Sequence, residues 1–213
     1  MGRRYDARND LNLTTYFYRT RFPRKERKFN RPRPLAPYLL PFIGTKTSVM
    51  IAELGAGPIN TIGNVLPGVD VNIRASDVMW PEFEKTWIAS EKTPLVPIEY
   101  QDFENLTYAD ETFDIVHCAN AIDHTKDVVK ALEEMHRICK PGGWIYLRHA
   151  TYQMLHYAGG HYWNIAMVDD CCVFQNKRTA FVLGPTFDVS VLENEEVVAV
   201  YHKPLTPSQL VYE

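Results

Sequence analysis

The sequence predicts an α/β fold in which a doubly wound, mostly parallel central sheet ends in a C-terminal antiparallel hairpin. Short apolar runs alternate along the chain with segments of helical pattern, as expected for parallel strands joined by crossover helices. The first apolar run ends in Gly55-Ala56-Gly57, and two late runs rich in β-branched residues flank Glu193-Asn194-Glu195. A length of 213 residues suffices for one such domain.

The first half of the chain carries the elements around the glycine turn. Residues 48–53 and 71–76 are apolar runs typical of strands, and a short strand is predicted near 96–100. A parallel strand that ends in a glycine turn is normally followed by a helix, so we predict one at 58–66. A second helix is predicted at 80–90.

The second half of the chain supplies the rest of the sheet. Residues 113–118 form a nearly continuous apolar run, which indicates a strand buried on both faces. The clearest helix, 126–139, has apolar residues at helical spacing, with Arg137 and Lys140 favourably placed at its negative end. A strand at 144–148 follows. The remaining apolar segments are Thr179 to Leu183 and the two hairpin runs, 187–192 and 196–202.

The glycine turn is the strongest indication of a ligand. Its main-chain N–H groups are open at the carboxyl edge of a parallel sheet, where ligands bind in open α/β folds. A dinucleotide fingerprint would have a third glycine where this chain has Asn60, and Pro58 lacks an N–H that a pyrophosphate would use. Asp77 ends the second strand, where a carboxylate can accept hydrogen bonds from ribose hydroxyls. We therefore predict an adenosine pocket that needs no phosphate.

Five motifs, in this order, resemble those of the class I S-adenosyl-L-methionine (SAM) dependent methyltransferases of the type 11 group, from about residue 35 onward. They are Glu53-Leu54-Gly55-Ala56-Gly57-Pro58, Asp77, Asp102-Phe103-Glu104-Asn105-Leu106, Phe113-Asp114-Ile115-Val116-His117 and Lys140-Pro141-Gly142-Gly143. A narrower resemblance, to a group of small methyltransferases, comes from Asn120-Ala121-Ile122-Asp123-His124-Thr125 and Gly160-His161-Tyr162-Trp163-Asn164. The resemblance implies a Rossmann-like fold and SAM as the cofactor.

The same resemblance implies a set of cofactor-binding residues. Gly55 and Gly57 would lie against the methionine part of SAM, and Asp77 would hold the ribose. Asp102 and the backbone of Phe103 would meet the adenine. The whole predicted set is Glu53, Gly55, Ala56, Gly57, Asp77, Asp102, Phe103 and Asn120. Within it, Glu53 is expected to order the glycine loop.

Candidate catalytic residues follow the fourth and fifth predicted strands. Methyl transfer is an in-line displacement, so the protein must hold donor and acceptor in contact, collinear and dry. A hydroxyl acceptor also needs a base, because its proton leaves as the bond forms. We predict His124 as this base, oriented by Asp123, with His149 as a further catalytic candidate.

Each candidate also has a structural interpretation. Asp123 would suit the cap of the following helix, His124 a structural position beneath the cofactor, and His149 a strand end in solvent. The loop that carries His161, Trp163 and Asn164 combines glycines with recognition groups, which favours substrate binding, although Trp163 alone would also suit the core. These histidines and the aspartate also suggest a metal, but no diagnostic ligand spacing is present and we predict none.

The charge of the chain is unevenly distributed. Residues 1–33 contain 11 Lys/Arg and 3 Asp/Glu, a net charge of +8. Residues 34–213 contain the other 12 Lys/Arg and 23 Asp/Glu, a net charge of −11. We therefore divide the chain into a basic arm, 1–34, and a methyltransferase domain, 35–213. Three roles stay open for the arm: a lid packed on the domain, a site for an anionic substrate, and nucleic-acid binding through its interleaved aromatics.

The expected function is transfer of a methyl group from SAM to a small-molecule or saccharide-like acceptor, at oxygen. The alternatives are a non-catalytic SAM- or nucleic-acid-binding partner protein, or an NAD-type oxidoreductase, which Pro58 and Asn60 disfavour. No apolar stretch reaches the roughly 18 residues of a membrane span and no secretory signal is evident, so we expect a cytoplasmic protein. The four cysteines lack metal or redox spacing and are expected to be reduced core thiols. Exposed aromatics in the arm would allow a homodimer.

Overall fold

The computed structural model describes residues 20–151, 160–184 and 186–205. Its strands are β1 (Ser48–Leu54), β2 (Asp70–Ser76), β3 (Ile98–Glu99), β4 (Phe113–Ala119), β5 (Cys139–Ala150), β6 (Asn164–Val168), β7 (Cys171–Gln175), β8 (Ala180–Val182), β9 (Phe187–Val191) and β10 (Glu196–His202). Its helices are α1, which includes residues 20–29, α2 (Trp80–Ala89) and α3 (Val128–Ile138). Short 3₁₀ turns lie at Pro37–Phe42 and Ile122–His124.

Seven strands form the central sheet, in the order β3-β2-β1-β4-β5-β10-β9. The first five strands in sequence run parallel, whereas β10 pairs antiparallel with both β5 and β9. This confirms the predicted parallel sheet and its terminal hairpin. From β1 the chain adds β2 and β3 on one side, and it then crosses to add β4 on the other side of β1. The carboxyl ends of β1 and β4 therefore form a topological switch point, where ligands bind in this class of fold.

Helix α3 covers one face of the sheet and confirms the clearest helical prediction. Its buried residues are Val128, Ala131, Leu132, Met135 and Ile138, which recur at helical spacing. The side chain of Asp127 caps its first turn by accepting a hydrogen bond from the backbone N–H of Lys130. The helix therefore begins close to the carboxyl end of β4 and fixes the segment between them.

A second sheet, β6-β7-β8, packs against the same core and was not predicted beyond the apolar segment at residues 179–183. It is antiparallel, and its aromatic residues Phe174 and Phe181 stack with ring centroids 4.9 Å apart. Trp163, just before β6, meets Phe181 edge-on at 5.6 Å. This sheet anchors the segment that carries His161 onto the body of the protein.

The predicted helix at 58–66 was wrong, because this segment is irregular. Its backbone groups bond to the chain before the sheet instead of to one another: Ala36 donates to the carbonyl of Ile62 at 2.7 Å, and Leu35 donates to that of Val65 at 2.8 Å. Gly63 also adopts φ +84°, outside the helical region. Tertiary hydrogen bonds have replaced the helical ones.

The described part of the basic arm packs on the domain. Phe22, in α1, is buried and meets Trp87 of α2 edge-on, with ring centroids 4.7 Å apart. Nζ of Lys92 lies 2.8 Å from a carboxylate oxygen of Glu26. These contacts are those expected of a packed arm, whereas residues 1–19, which carry the other basic and aromatic groups, lie outside the described residues.

Replacement of Phe22 by leucine tests this docking. We expect Phe22→Leu to cost about 1 kcal/mol of stability, because it removes the edge-to-face aromatic pair while it keeps an apolar side chain. Trypsin should then cut faster at the basic residues of the arm. Tyr100→Leu, at an exposed position, is the control. Equal cleavage rates in the wild type and Phe22→Leu would show that the contact does not hold the arm.

All four cysteines are free thiols: Cys118, Cys139 and Cys172 are buried, and Cys171 is exposed. Burial raises the pKa of the Cys172 thiol to about 12, so this group stays protonated. Among the described residues, every helix is too short or too polar to cross a bilayer.

Candidate active site

The turn after β1 brings three loops together. Gly55 and Gly57 have φ values of +70° and +67°, in the left-handed region that favours glycine. A Cβ on Gly55 would overlap that of Ala121, in the segment after β4, and would lie 3.1 Å from Cζ of Phe103. The glycine is therefore required for packing between the loops as well as for the turn itself.

Glu53 orders this turn. Its buried carboxylate accepts hydrogen bonds from Nδ2 of Asn60 at 2.6 Å, and from the backbone N and Oγ1 of Thr61 at 3.0 and 3.1 Å. Burial raises the pKa of Glu53 to about 7, although these hydrogen bonds oppose the shift. The carboxylate thus fixes the segment at 58–66 through hydrogen bonds that substitute for the backbone hydrogen bonds of a helix.

A pH dependence of stability follows from this raised pKa. The folded state binds the Glu53 proton more tightly than the unfolded chain does, so stability falls as the pH rises from the unfolded pKa of 4.5 toward about 7. We expect a loss of about 2 kcal/mol between about pH 5 and pH 7 in the wild type. Glu53→Gln, in which the side chain of Asn60 can rotate to present its oxygen, should lack this component. Urea unfolding of both proteins at a series of pH values measures how the free energy of unfolding depends on pH. The same pH dependence in the wild type and in Glu53→Gln would contradict the raised pKa of Glu53.

Asp77 links the end of β2 to the glycine turn. Its two carboxylate oxygens accept hydrogen bonds from the backbone N of Gly57 and of Met79, each at 2.8 Å. Burial raises the pKa of this carboxyl, and the two N–H groups lower it. The backbone N of Ala56 is bonded to the carbonyl of Ser76 at 3.0 Å, so two of the turn's N–H groups have partners within the protein.

The other predicted cofactor residues lie along the same edge. Oδ1 of Asp102 accepts a hydrogen bond from the backbone N of Glu104, and the buried ring of Phe103 faces Gly55. Asn120 has φ +51°, and its Oδ1 accepts a hydrogen bond from the backbone N of Ala150 at 2.8 Å, which ties β4 to β5. Glycine backbone, two carboxylates and an apolar ring are groups that suit the amino acid, ribose and adenine of SAM.

A buried carboxylate with three histidines lies beyond the end of β4. We call Asp123, His124, His149 and His161 the Asp123 cluster. Asp123 is fully buried, and its Oδ2 contacts Nδ1 of His161. Its Oδ1 lies 2.8 Å from Nε2 of His149 and 3.9 Å from Nε2 of His124. Asp123 therefore contacts His161 and His149 more closely than the predicted partner His124.

Two of these rings have a defined tautomer. Nδ1 of His124 lies 2.7 Å from the carbonyl oxygen of Gly160, and Nδ1 of His149 lies 2.6 Å from that of Ala150. A carbonyl oxygen can only accept a hydrogen bond, so Nδ1 carries a proton in each of these two rings. Burial raises the pKa of Asp123, but the contacts with His149 and His161 lower it below its ordinary value, which keeps it ionised.

The structure also decides between the alternative interpretations of these residues. Asp123 does not cap α3, because Asp127 does. His149 is buried rather than at a solvated strand end. Trp163 is a core residue whose Nε1 donates to the carbonyl of Thr125 at 2.9 Å, and Asn164 is the buried first residue of β6.

The sequence analysis missed an aromatic stack on the opposite face of the sheet. His117 is buried beside Tyr38 and Tyr146, with ring centroids 5.9 and 5.6 Å away, and its Nε2 lies 3.3 Å from the hydroxyl oxygen of Tyr38. Burial lowers the pKa of His117 to about 3 and raises that of Tyr38 to about 12. The guanidinium of Arg148 lies 5.7 Å from the Tyr38 ring. No sequence pattern distinguished His117 from its apolar neighbours in β4.

Residues 54–147 match the family described as a methyltransferase domain. The chain is 32% identical over 120 residues to a probable methyltransferase of Aspergillus luteorubrus, which covers 51% of this chain and 41% of that protein. It is 28% identical over 128 residues to an uncharacterized methyltransferase of Schizosaccharomyces pombe, which covers 56% and 45%. The chain thus spans less than half the length of these curated relatives.

Among solved structures, the chain is similar to a protein of Methanococcus maripaludis assigned as an S-adenosyl-L-methionine-dependent methyltransferase. The TM-score is 0.52, with 14% identity over 99% of this chain and 98% of that one. At this identity the likeness shows the fold alone.

Proposed function

Since residues 54–147 of this chain match a methyltransferase domain, we propose that it is a SAM-dependent methyltransferase that transfers a methyl group from SAM to a hydroxyl of a small-molecule or saccharide-like acceptor. The Asp123 cluster supports an oxygen acceptor, because its imidazoles can accept a proton. The cluster lies beyond the carboxyl ends of β4 and β5, at the same edge of the sheet as the glycine turn. An acceptor oxygen must lose a proton, and imidazole is the side chain suited to take it near neutral pH.

The cofactor is proposed to lie over the glycine turn. Bound SAM would supply an electrophilic methyl group on a sulfonium. The protein would position SAM through two side chains. The carboxylate of Asp77 would bind the ribose, and the apolar ring of Phe103 would contact the adenine. Asp77 already binds the backbone N–H of Gly57, so its position and that of the turn are fixed before any ligand enters.

His124 is the proposed contact with the acceptor. Its side chain is 43% exposed, whereas those of His161 and His149 are 16% and 4% exposed. The hydrogen bond from Nδ1 to Gly160 leaves the Nε2 lone pair available for the acceptor's proton. The anionic Asp123 beneath it would stabilise the imidazolium that forms.

Calorimetry with SAM and with NAD tests the cofactor. We expect SAM to bind and NAD not to bind, with SAM affinity reduced about tenfold in Asp77→Ala through loss of a carboxylate hydrogen bond. Glu84→Ala, at an exposed carboxylate in α2, is the control. Unchanged SAM affinity in Asp77→Ala would reject the ribose assignment.

Formation of S-adenosylhomocysteine with a panel of hydroxylated acceptors then separates an enzyme from a binding protein. We expect His124→Gln to lower kcat about 10²-fold while SAM affinity is kept, which is the size of effect expected for a lost general base. Turnover on amine acceptors alone would contradict oxygen as the acceptor atom.

A further inference from the structure

We propose that Asp123, His124 and His161 bind one divalent transition-metal ion at the acceptor side of the site. The proposal deepens the proposed function, since the ion would lie where that function places the acceptor hydroxyl. One ligand atom from each of the three residues can be chosen so that all lie within 4.8 Å of one another. Two imidazoles and one carboxylate form a donor set typical of zinc and of non-haem iron.

The buried carboxylate of Asp123 has an unsatisfied oxygen. Among the described residues, Oδ1 of the fully buried Asp123 has no hydrogen-bond partner of normal geometry, and the same holds for Nε2 of His149. The two atoms nevertheless face each other at 2.8 Å. A fully buried carboxylate oxygen without a well-formed hydrogen bond is costly, and a cation bound beside it would offset that cost.

His124 is placed to share an ion with Asp123. Its Nε2 lies 3.9 Å from the same Oδ1, which is too long for a hydrogen bond. Two atoms at this separation can both bind one ion at about 2.1 Å. The hydrogen bond from Nδ1 of His124 to the carbonyl of Gly160 is the outer contact that metal-binding histidines normally make, because it fixes the tautomer and the ring plane.

Gly160 itself fits this arrangement. It has φ +77°, and a Cβ at this position would lie 3.2 Å from Nδ1 of His124. The left-handed glycine therefore lets its carbonyl approach the ring closely. His161 follows immediately, and the backbone N–H groups of the next two residues, Tyr162 and Trp163, donate to the carbonyl of Asp123 at 2.7 and 3.2 Å. Two separate segments are thus held together at the proposed ligands.

The exposure of the site is uneven, which defines an open coordination position. Asp123 and His149 close the inner side, whereas His124 is exposed toward solvent. An acceptor hydroxyl could bind the ion there, and the ion would lower the pKa of that hydroxyl. With the ion bound, Nε2 of His124 would be a ligand in place of the base role proposed above, and the proton that the acceptor hydroxyl releases would pass to solvent.

Metal binding can be measured without turnover. Untagged full-length protein is stripped with EDTA, dialysed and titrated with Co²⁺ by visible absorption and with Zn²⁺ by calorimetry. We expect one equivalent to bind, with d–d bands for Co²⁺ and a rise in Tm on adding Zn²⁺. His124→Gln, a change at an exposed position that should fold, is expected to weaken binding at least tenfold, as is His161→Gln. His202→Gln, at an exposed histidine outside the cluster, should bind like the wild type.

The outcomes separate this inference from the proposed function. Absence of stoichiometric binding by the wild type, or equal affinity in His124→Gln and wild type, would overturn the metal site. SAM calorimetry on the stripped protein is independent of the ion. SAM binding without metal binding would therefore reject only the metal site, and metal binding without SAM binding would reject only the proposed function.

Discussion

Gly55→Ala is expected to abolish measurable SAM binding and to lower the free energy of unfolding by about 2–5 kcal/mol. Two effects combine. The left-handed φ of +70° is strained for any residue with a Cβ, and the added methyl group would overlap Cβ of Ala121. Relief of the overlap requires the segment after β4 to move away from the turn after β1. These are the two segments between which the cofactor is proposed to bind.

Gly68→Ala separates the two effects. Gly68 also has a left-handed φ, +79°, but a Cβ there meets nothing within 4 Å. This variant should show only the backbone cost of about 1 kcal/mol and should keep SAM affinity. Urea unfolding and SAM calorimetry on both variants provide the comparison. A Gly55→Ala protein no less stable than Gly68→Ala would mean that the loops do not close against each other as the structure shows.

Arg137→Met is expected to destabilise the fold by about 3–4 kcal/mol. The guanidinium of Arg137 donates to both carboxylate oxygens of Glu134 at 2.7 Å and to the carbonyls of Leu106 and Tyr108 at 2.9 and 2.8 Å. It thereby joins α3 to the loop that follows the Asp102–Phe103 segment. Loss of the guanidinium removes the donor of these two carbonyls, leaves Glu134 with only the backbone N–H of Leu106, and breaks the contact with Asp110. Because that loop holds Phe103, SAM affinity should also fall several-fold.

Arg74→Met is the matched control for Arg137→Met. Arg74 also makes a two-atom contact with a carboxylate, that of Glu99, at 2.8 and 2.9 Å, but its side chain is 54% exposed. Solvent screening limits such pairs to less than about 1 kcal/mol. Thermal unfolding of the two variants measures the contrast. Equal losses would show that the bonds from Arg137 to the loop carbonyls contribute nothing beyond an ordinary surface ion pair.

Most of the central sheet could be predicted because its strands are determined by local pattern. The apolar run at β4 and the helical repeat of α3 each specify their element within a few residues. The failures have a common cause. The segment at 58–66 has its hydrogen-bond partners at residues 33–36 and at Glu53, and β6 and β7 are short strands specified mainly by each other and by the core. Such partners are distant in sequence and leave no periodic signal.

Arg137 shows the same limit at the level of one residue. Its position near the end of a predicted helix indicates an interaction with the helix dipole, and nothing in the sequence links it to Leu106 or Tyr108. The sequence pairs Asp123 with His124, its neighbour along the chain, but its closest contacts are with His149 and His161, which are 26 and 38 residues away.

The sequence alone determined the fold class, the order of the main strands and the edge at which polar residues collect, because hydrophobic periodicity and the glycine turn are local properties of the chain. Only the tertiary structure decided which of these polar residues meet. Asp123 is buried among three imidazoles because the segment that leads into β6 lies beside the turn after β4. Hydrogen bonds from the backbone N–H groups of Tyr162 and Trp163 to the carbonyl of Asp123, about forty residues away, hold the two segments together. Side-chain contacts of this kind arise from packing, and packing is not encoded by spacing along the sequence.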